Sequence, residues 1–168
     1  YEDASNYIKN NTNKNLNSSS TWKDQISMYE TVNGSIDDVI NIVERQNELI
    51  SKCSTSSLSS EDKSTIDKEL AALYNEIESI KNSTTFNSIN VLSDSSYYND
   101  YLLYDLSDTN LKNISCSTSS TSSKVISDYQ RKLTLNNISI NANINKSNKL
   151  INFIECSSNS CALDSVKD

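Results

Sequence analysis

Glycine occurs once and proline never in these 168 residues. Those two residues stop or kink helices, so their near-absence permits helices of a length that most chains interrupt. Hydrophobic residues make up only 35% of the chain, with Asn and Ser dominating the remainder. So little apolar surface suits a thin seam between rods better than a spherical core. At 18.8 kDa the expectation is one domain over 1–168, mainly α, an elongated antiparallel helical bundle or coiled coil of three long helices.

Apolar spacing places those helices. From Ile26 the 3-4 pattern predicts a stripe of Tyr29, Asn33, Ile36, Ile40, Val43, Asn47 and Ile50, with the two asparagines as interruptions that fix register at a cost in stability. Nothing upstream stops this helix, so it is expected over about residues 5–52. A second helix over about 60–81 presents Ile66, Leu70, Leu73, Ile77 and Ile80. Ser60 is its expected cap, and Glu61 and Asp62 place negative charge on its positive end. A third pattern over about 124–155 aligns Ile126, Tyr129, Leu133, Asn136, Ile140, Ile144, Ser147, Ile151 and Ile154.

Between the second and third helices the period changes. Short β-prone runs over about 84–112, including Thr84-Thr85-Phe86 and Tyr101-Leu102-Leu103-Tyr104, predict a small antiparallel β-hairpin element. The Ser/Thr run 115–123 reads as a flexible connector.

Composition also excludes chemistry. The formal charge of −7 and pI near 4.6 leave no basic cluster to neutralise phosphates, so neither nucleic acid nor an anionic membrane is an expected partner. No apolar run is long enough to span a bilayer, and the first residues do not form a signal peptide. Histidine is absent, which removes the commonest general base and metal ligand. Cys53, Cys116, Cys156 and Cys161 contain no C-x-x-C pair, and no glycine-rich loop exists. The chain is therefore expected to be no enzyme and to hold no metal and no cofactor. Asp37/Asp38 and Glu61/Asp62 are adjacent acids of the kind found at helix starts and solvated faces.

The stretch from Gly34 to Leu92 resembles bacterial flagellin. Gly34 followed by an apolar run into Arg45, Glu48 and Leu49 is similar to the family's first rod helix. Ile66, Glu69, Leu70, Leu73, Glu76 and Ile77 keep the register of the second, and Thr84, Thr85, Phe86, Asn87, Val91 and Leu92 match the segment after it. Departures fall at Ser88, where the family usually has Gly, at Asn47, where a second Arg is usual, and at Lys52, often Gln.

The resemblance implies a structural subunit of the extracellular flagellar filament, bound to other flagellin subunits and secreted for motility. It also implies that the terminal segments that drive polymerisation lie outside this chain, which would then be monomeric or weakly associating by itself, a minimal rod domain. Toll-like receptor 5 is implied as a further partner, recognising Arg45, Leu49 and Glu69. A hook-filament junction protein or an Asn/Ser-rich helical adhesin module are the alternative readings. An up, down, return, down path puts Cys53 and Cys116 at one end of the bundle and Cys156 and Cys161 at the other, so those two disulfides are expected in an extracellular protein. The second requires α-helix to end between its cysteines. Four free thiols in an organism living without oxygen are the alternative.

Overall fold

The structure is a computed structural model that describes residues 2–55 and 57–159, with side-chain surroundings for 21–55 and 57–156. Its elements are α1 (Glu2–Thr55), α2 (Ser60–Ser83), β1 (Thr85–Phe86), β2 (Ile89–Asn90), α3 (Ser95–Tyr98), α4 (Thr109–Lys112), a 3₁₀ turn (Cys116–Thr118) and α5 (Ser119–Asn159). The protein is mainly α, a helical bundle of three long helices with one two-stranded antiparallel sheet. The chain divides into two compact units, one of 1–30 with 141–168 and one of 31–140.

In the larger unit, α1 and α2 form an antiparallel hairpin. Ser35 Oγ meets Thr84 Oγ1 at 3.0 Å, and Arg45 Nε meets Glu69 Oε1 at 2.8 Å, so the paired numbers rise on one helix as they fall on the other. Helix α1 buries Val32, Ile36, Val39, Val43, Gln46 and Ile50, spaced by alternating fours and threes. The expected stripe shared Ile36, Val43 and Ile50, but the intervening positions are Val32, Val39 and Gln46 in place of Asn33, Ile40 and Asn47. Both choices satisfy a heptad in the sequence, and packing selects the one that buries valines and leaves Asn33 and Asn47 half-exposed. Burying each such aliphatic side chain is worth about 1.5–3 kcal/mol.

The cap of α2 is Ser59, one residue before the expected Ser60. Ser59, with extended backbone, accepts the N–H of Asp62 at 3.1 Å, and Glu61 and Asp62 occupy the first turn. Ile66, Leu70 and Ile77 face the core.

The β element is smaller than expected. Only Thr85–Phe86 and Ile89–Asn90 pair, in the register Thr85 with Asn90 and Phe86 with Ile89. Tyr101–Tyr104 is not a strand, because the side chain of Asn136 takes up the backbone of Leu103 and Tyr104. Around it, Asp94 and Asp108 cap the one-turn helices α3 and α4. Aspartates that bond to backbone N–H two residues on favour such turns over strands. Val91, Leu92, Tyr101, Leu102, Leu106, Leu111 and Ile114 fill the space under this segment.

The Ser/Thr run is helical. Asp67 Oδ1 accepts the N–H of Cys116 at 2.8 Å, and buried Ser122 both accepts the N–H of Ser115 at 3.0 Å and donates to its carbonyl at 3.2 Å. These bonds pin the 3₁₀ turn that leads into α5; the residue at the start of that turn, Ser115, makes no side-chain capping bond. Helix α5 therefore begins at Ser119 and runs to Asn159, beyond both expected limits. It buries Ile126, Tyr129, Leu133, Asn136 and Ile140 in the larger unit.

In the smaller unit, Tyr29 of α1 and Ser147, Ile151, Ile154 and Cys156 of α5 are buried. Lys23 Nζ and Glu155 Oε1 join its two helices at 2.7 Å.

Candidate functional site: the exposed ion pair of the α1–α2 hairpin

Arg45 and Glu69 meet because heptad packing brings the last quarter of α1 against the first half of α2. Each flanks a buried position, Gln46 on α1 and Leu70 on α2. The Arg45 fork reaches two carboxylates, Glu69 at 2.8 Å through Nε and Glu48 at 3.2 Å through Nη1. The hydrogen bond to Glu69, then that to Glu48, holds the guanidinium above its already high pKa. About half of the Arg45 side chain and 39% of that of Glu69 remain open to solvent. Solvent screens such a pair, so it fixes a surface shape more than it stabilises the fold.

Leu49 does not join this surface. It is only 3% exposed, packed in the seam one turn beyond Arg45, and has almost no area left for a partner. Glu48 was missed by sequence reasoning as a member of the pair, although its spacing of three from Arg45 allowed it. Lys52 is exposed and Asn47 half-exposed on the same helix.

Cys53 and Cys116 lie at the end of α1 and just before the start of α5, in the larger unit. Cys53 and Cys116 are joined, with Cα atoms 5.3 Å apart and 63 residues between them in sequence. The bridge ties the last turns of α1 to the turn that starts α5, and Asp67 of α2 holds the same turn by the Cys116 N–H. Cys156 is disulfide-bonded; its expected partner Cys161 lies outside the described residues. Helix continues past Cys156 to Asn159, four residues beyond its expected end at about 155.

Among the described residues no group of Cys, Asp and Glu is placed to hold a metal ion, and no helix is long and apolar enough to cross a membrane. A recess of about 130 Å³ lies beside α4 and α5, lined by Asn110, Asn113, Ile114, Thr118, Thr121, Ser122 and Val125. It contains no ionisable group.

A hairpin of heptad-packed helices closed by a third, with no fully buried charged residue among the described residues, is the architecture of a helical structural protein. The family model for the bacterial flagellin N-terminal helical region matches residues 3–97, and the chain belongs to the flagellin family. It is similar to a flagellin of Halalkalibacterium halodurans, 35% identical over 72 residues, which cover 43% of this chain and 26% of that protein. The chain thus matches about a quarter of that relative's length. The fold is also that of a crystal structure of Bacillus cereus flagellin, with a TM-score of 0.64 at 19% identity over 80% of this chain and 88% of the other.

Proposed function

We propose that the chain is the rod portion of a subunit of the extracellular flagellar filament, serving motility by packing against other flagellin subunits and catalysing nothing. Its membership of the flagellin family carries this reading. The seam is filled from within the chain, and the outer faces are left for neighbours. Immunogold electron microscopy of source cells with an antibody to this chain tests it. Label along surface filaments is expected; label confined to the cell body would sink the reading and favour the adhesin alternative.

The finer reading concerns innate recognition. We infer that Arg45 and Glu69 form a surface open to Toll-like receptor 5, with Leu49 supporting it from inside the seam. The exposed pair at 2.8 Å supports this. Arg is a frequent anchor of interfaces, and its planar fork is prealigned here by two carboxylates. Arg45→Ala and Glu69→Ala are expected to weaken binding to the receptor ectodomain while leaving the circular dichroism unchanged. Leu49→Ala is expected to lower the melting temperature. Equal receptor binding by the chain and both charge variants removes this surface from the account.

A further inference from the structure

We propose that the Cys53–Cys116 bridge is a one-sided, self-restoring redox lock. An external thiol opens it only at Cys53, and Cys116 stays in place to close it again.

Access separates the two sulfurs. Cys53 is half-exposed near the end of α1, with Lys52, Ser54 and Thr55 exposed around it. Cys116 is only 4% exposed. Thiol–disulfide exchange begins when an incoming thiolate reaches one of the two sulfurs, and its rate depends on that access. The buried sulfur is closed to the reagent, so attack falls on Cys53.

Charge then acts on the sulfur that must leave. Attack at Cys53 expels the Cys116 thiolate, and exchange slows as the pKa of the leaving thiol rises. Burial raises it by taking the thiolate out of water. Asp67 raises it further, because its Oδ1 accepts the Cys116 N–H at 2.8 Å. Covalent geometry keeps the sulfur of that residue within about 7 Å of the carboxylate. Asp67 is half-buried, and among the described residues no lysine or arginine pairs with it to offset its charge.

Placement restores the bond. With glutathione as the thiol, its thiolate forms an S–S bond to Cys53 Sγ while the Cys53–Cys116 bond breaks and the electron pair departs on Cys116 Sγ. The turn that carries Cys116 is held without the bridge. Asp67 keeps the Cys116 N–H, and Ser122 bonds both the N–H and the carbonyl of Ser115. The Cys116 thiolate therefore remains beside the mixed disulfide. Its attack on Cys53 Sγ re-forms the bridge and expels glutathione thiolate, with no oxidant consumed. Complete reduction needs a second glutathione to attack the bound glutathione sulfur, which releases the Cys53 thiolate and glutathione disulfide. Both cysteine thiolates then take protons from water. Closure within the chain outpaces that second encounter unless thiol is in sustained excess.

A time course of the folded 168-residue chain in excess glutathione, quenched with acid, unfolded, alkylated and cut with trypsin, tests the proposal. Lysines at 52, 63, 112 and 124 place the two cysteines on separate peptides, 53–63 and 113–124. Glutathione on 53–63 with the alkyl group on 113–124 is expected. Desalting in place of the quench should return the bridge. Asp67→Asn keeps an acceptor oxygen and removes the charge, so it should speed loss of the bridge about fivefold at unchanged helix content. Glutathione on 113–124 at a comparable level, or no reaction short of unfolding, would overturn the one-sided access. A mixed disulfide that survives desalting would overturn the restoration. Loss of the bridge at the parent rate in Asp67→Asn would remove the carboxylate from the lock.

Discussion

The side-chain oxygen of Asn136 accepts the backbone N–H groups of both Leu103 and Tyr104 at 2.9 Å, and its amide nitrogen donates to the carbonyl of Tyr104 at 2.9 Å. Asn136 is completely buried. A polar residue on the seam of α5 thus supplies the partners that a neighbouring strand would otherwise give to the 101–104 segment.

Replacing it should therefore unseat that segment. Asn136→Leu keeps the volume but strands three backbone groups, each worth about 1–3 kcal/mol if left unpaired. Relaxation of the loop toward water recovers part of this, so a loss of about 2–4 kcal/mol is expected in urea denaturation. A loss under half a kilocalorie would show that the clamp does not order the segment.

Gln46 presents the opposite case. It sits on the α1 seam between Val43 and Ile50, completely buried, and neither polar atom of its amide has a hydrogen-bond partner among the described residues. Gln46→Met, nearly isosteric, is expected to raise stability by about 1 kcal/mol by removing that polar group. Unchanged or lowered stability would mean that the amide is satisfied in solution.

These two residues show what the sequence makes legible. The heptad of α5 was readable at every expected position but Ile144, which is half-exposed, because Ile126, Tyr129, Leu133 and Ile140 are large and no competing register offers as many. On α1, aliphatic residues stand at 39 and 40 and again at 42 and 43, so two registers compete, and the distinction between Asn47 and Gln46 is made only by the neighbouring helices. The loop over Asn136 was read as strand because Tyr-Leu-Leu-Tyr has β propensity, while the bond that overrides it spans 33 residues. Arg45 and Glu69 were legible through the family motif, whereas the burial of Leu49 depends on how α1 is rotated.

Glycine stands where helix does not need it and is missing where a turn does. Gly34 lies inside α1 and a Cβ there would meet nothing within 4 Å, so Gly34→Ala should stabilise by about 0.5–1 kcal/mol. Asn87 and Ser88 both have positive φ, 50° and 66°, in the two-residue link between β1 and β2. Asn tolerates that region and Ser does not, so Ser88→Gly should stabilise by about 1 kcal/mol. Melting curves of the two single variants check each one separately; a lower melting temperature for either contradicts its backbone argument.

The Cys53–Cys116 bridge closes a loop across 63 positions. In the chain-entropy model that restrains the unfolded state by about 4 kcal/mol, a large share of the stability of a thin-seamed protein. Cys53→Ser/Cys116→Ser should therefore shift the urea midpoint sharply downward while native helix content persists in buffer. An unchanged midpoint would show that packing alone fixes the ends of α1 and α5.

Tyr129 predicts the response to alkali. Its phenol is buried on α5 and donates to the carbonyl of Leu106 at 2.8 Å. Burial, reinforced by the negative charges of Asp108 and Glu78, raises its pKa well above the ordinary 10.0. In the unfolded chain the same phenol ionises near its ordinary value. The folded state therefore holds its proton where the unfolded state has lost it. This contribution to stability is fully present below about pH 10 and is lost as pH rises beyond that, with a slope of up to about 1.4 kcal/mol per pH unit. Tyr129→Phe should lose about 1 kcal/mol at neutral pH with the hydrogen bond and decline less steeply above pH 10. Urea midpoints measured for both proteins from pH 8 to pH 11 decide the matter: parallel decline in the two would assign the alkaline sensitivity to other groups.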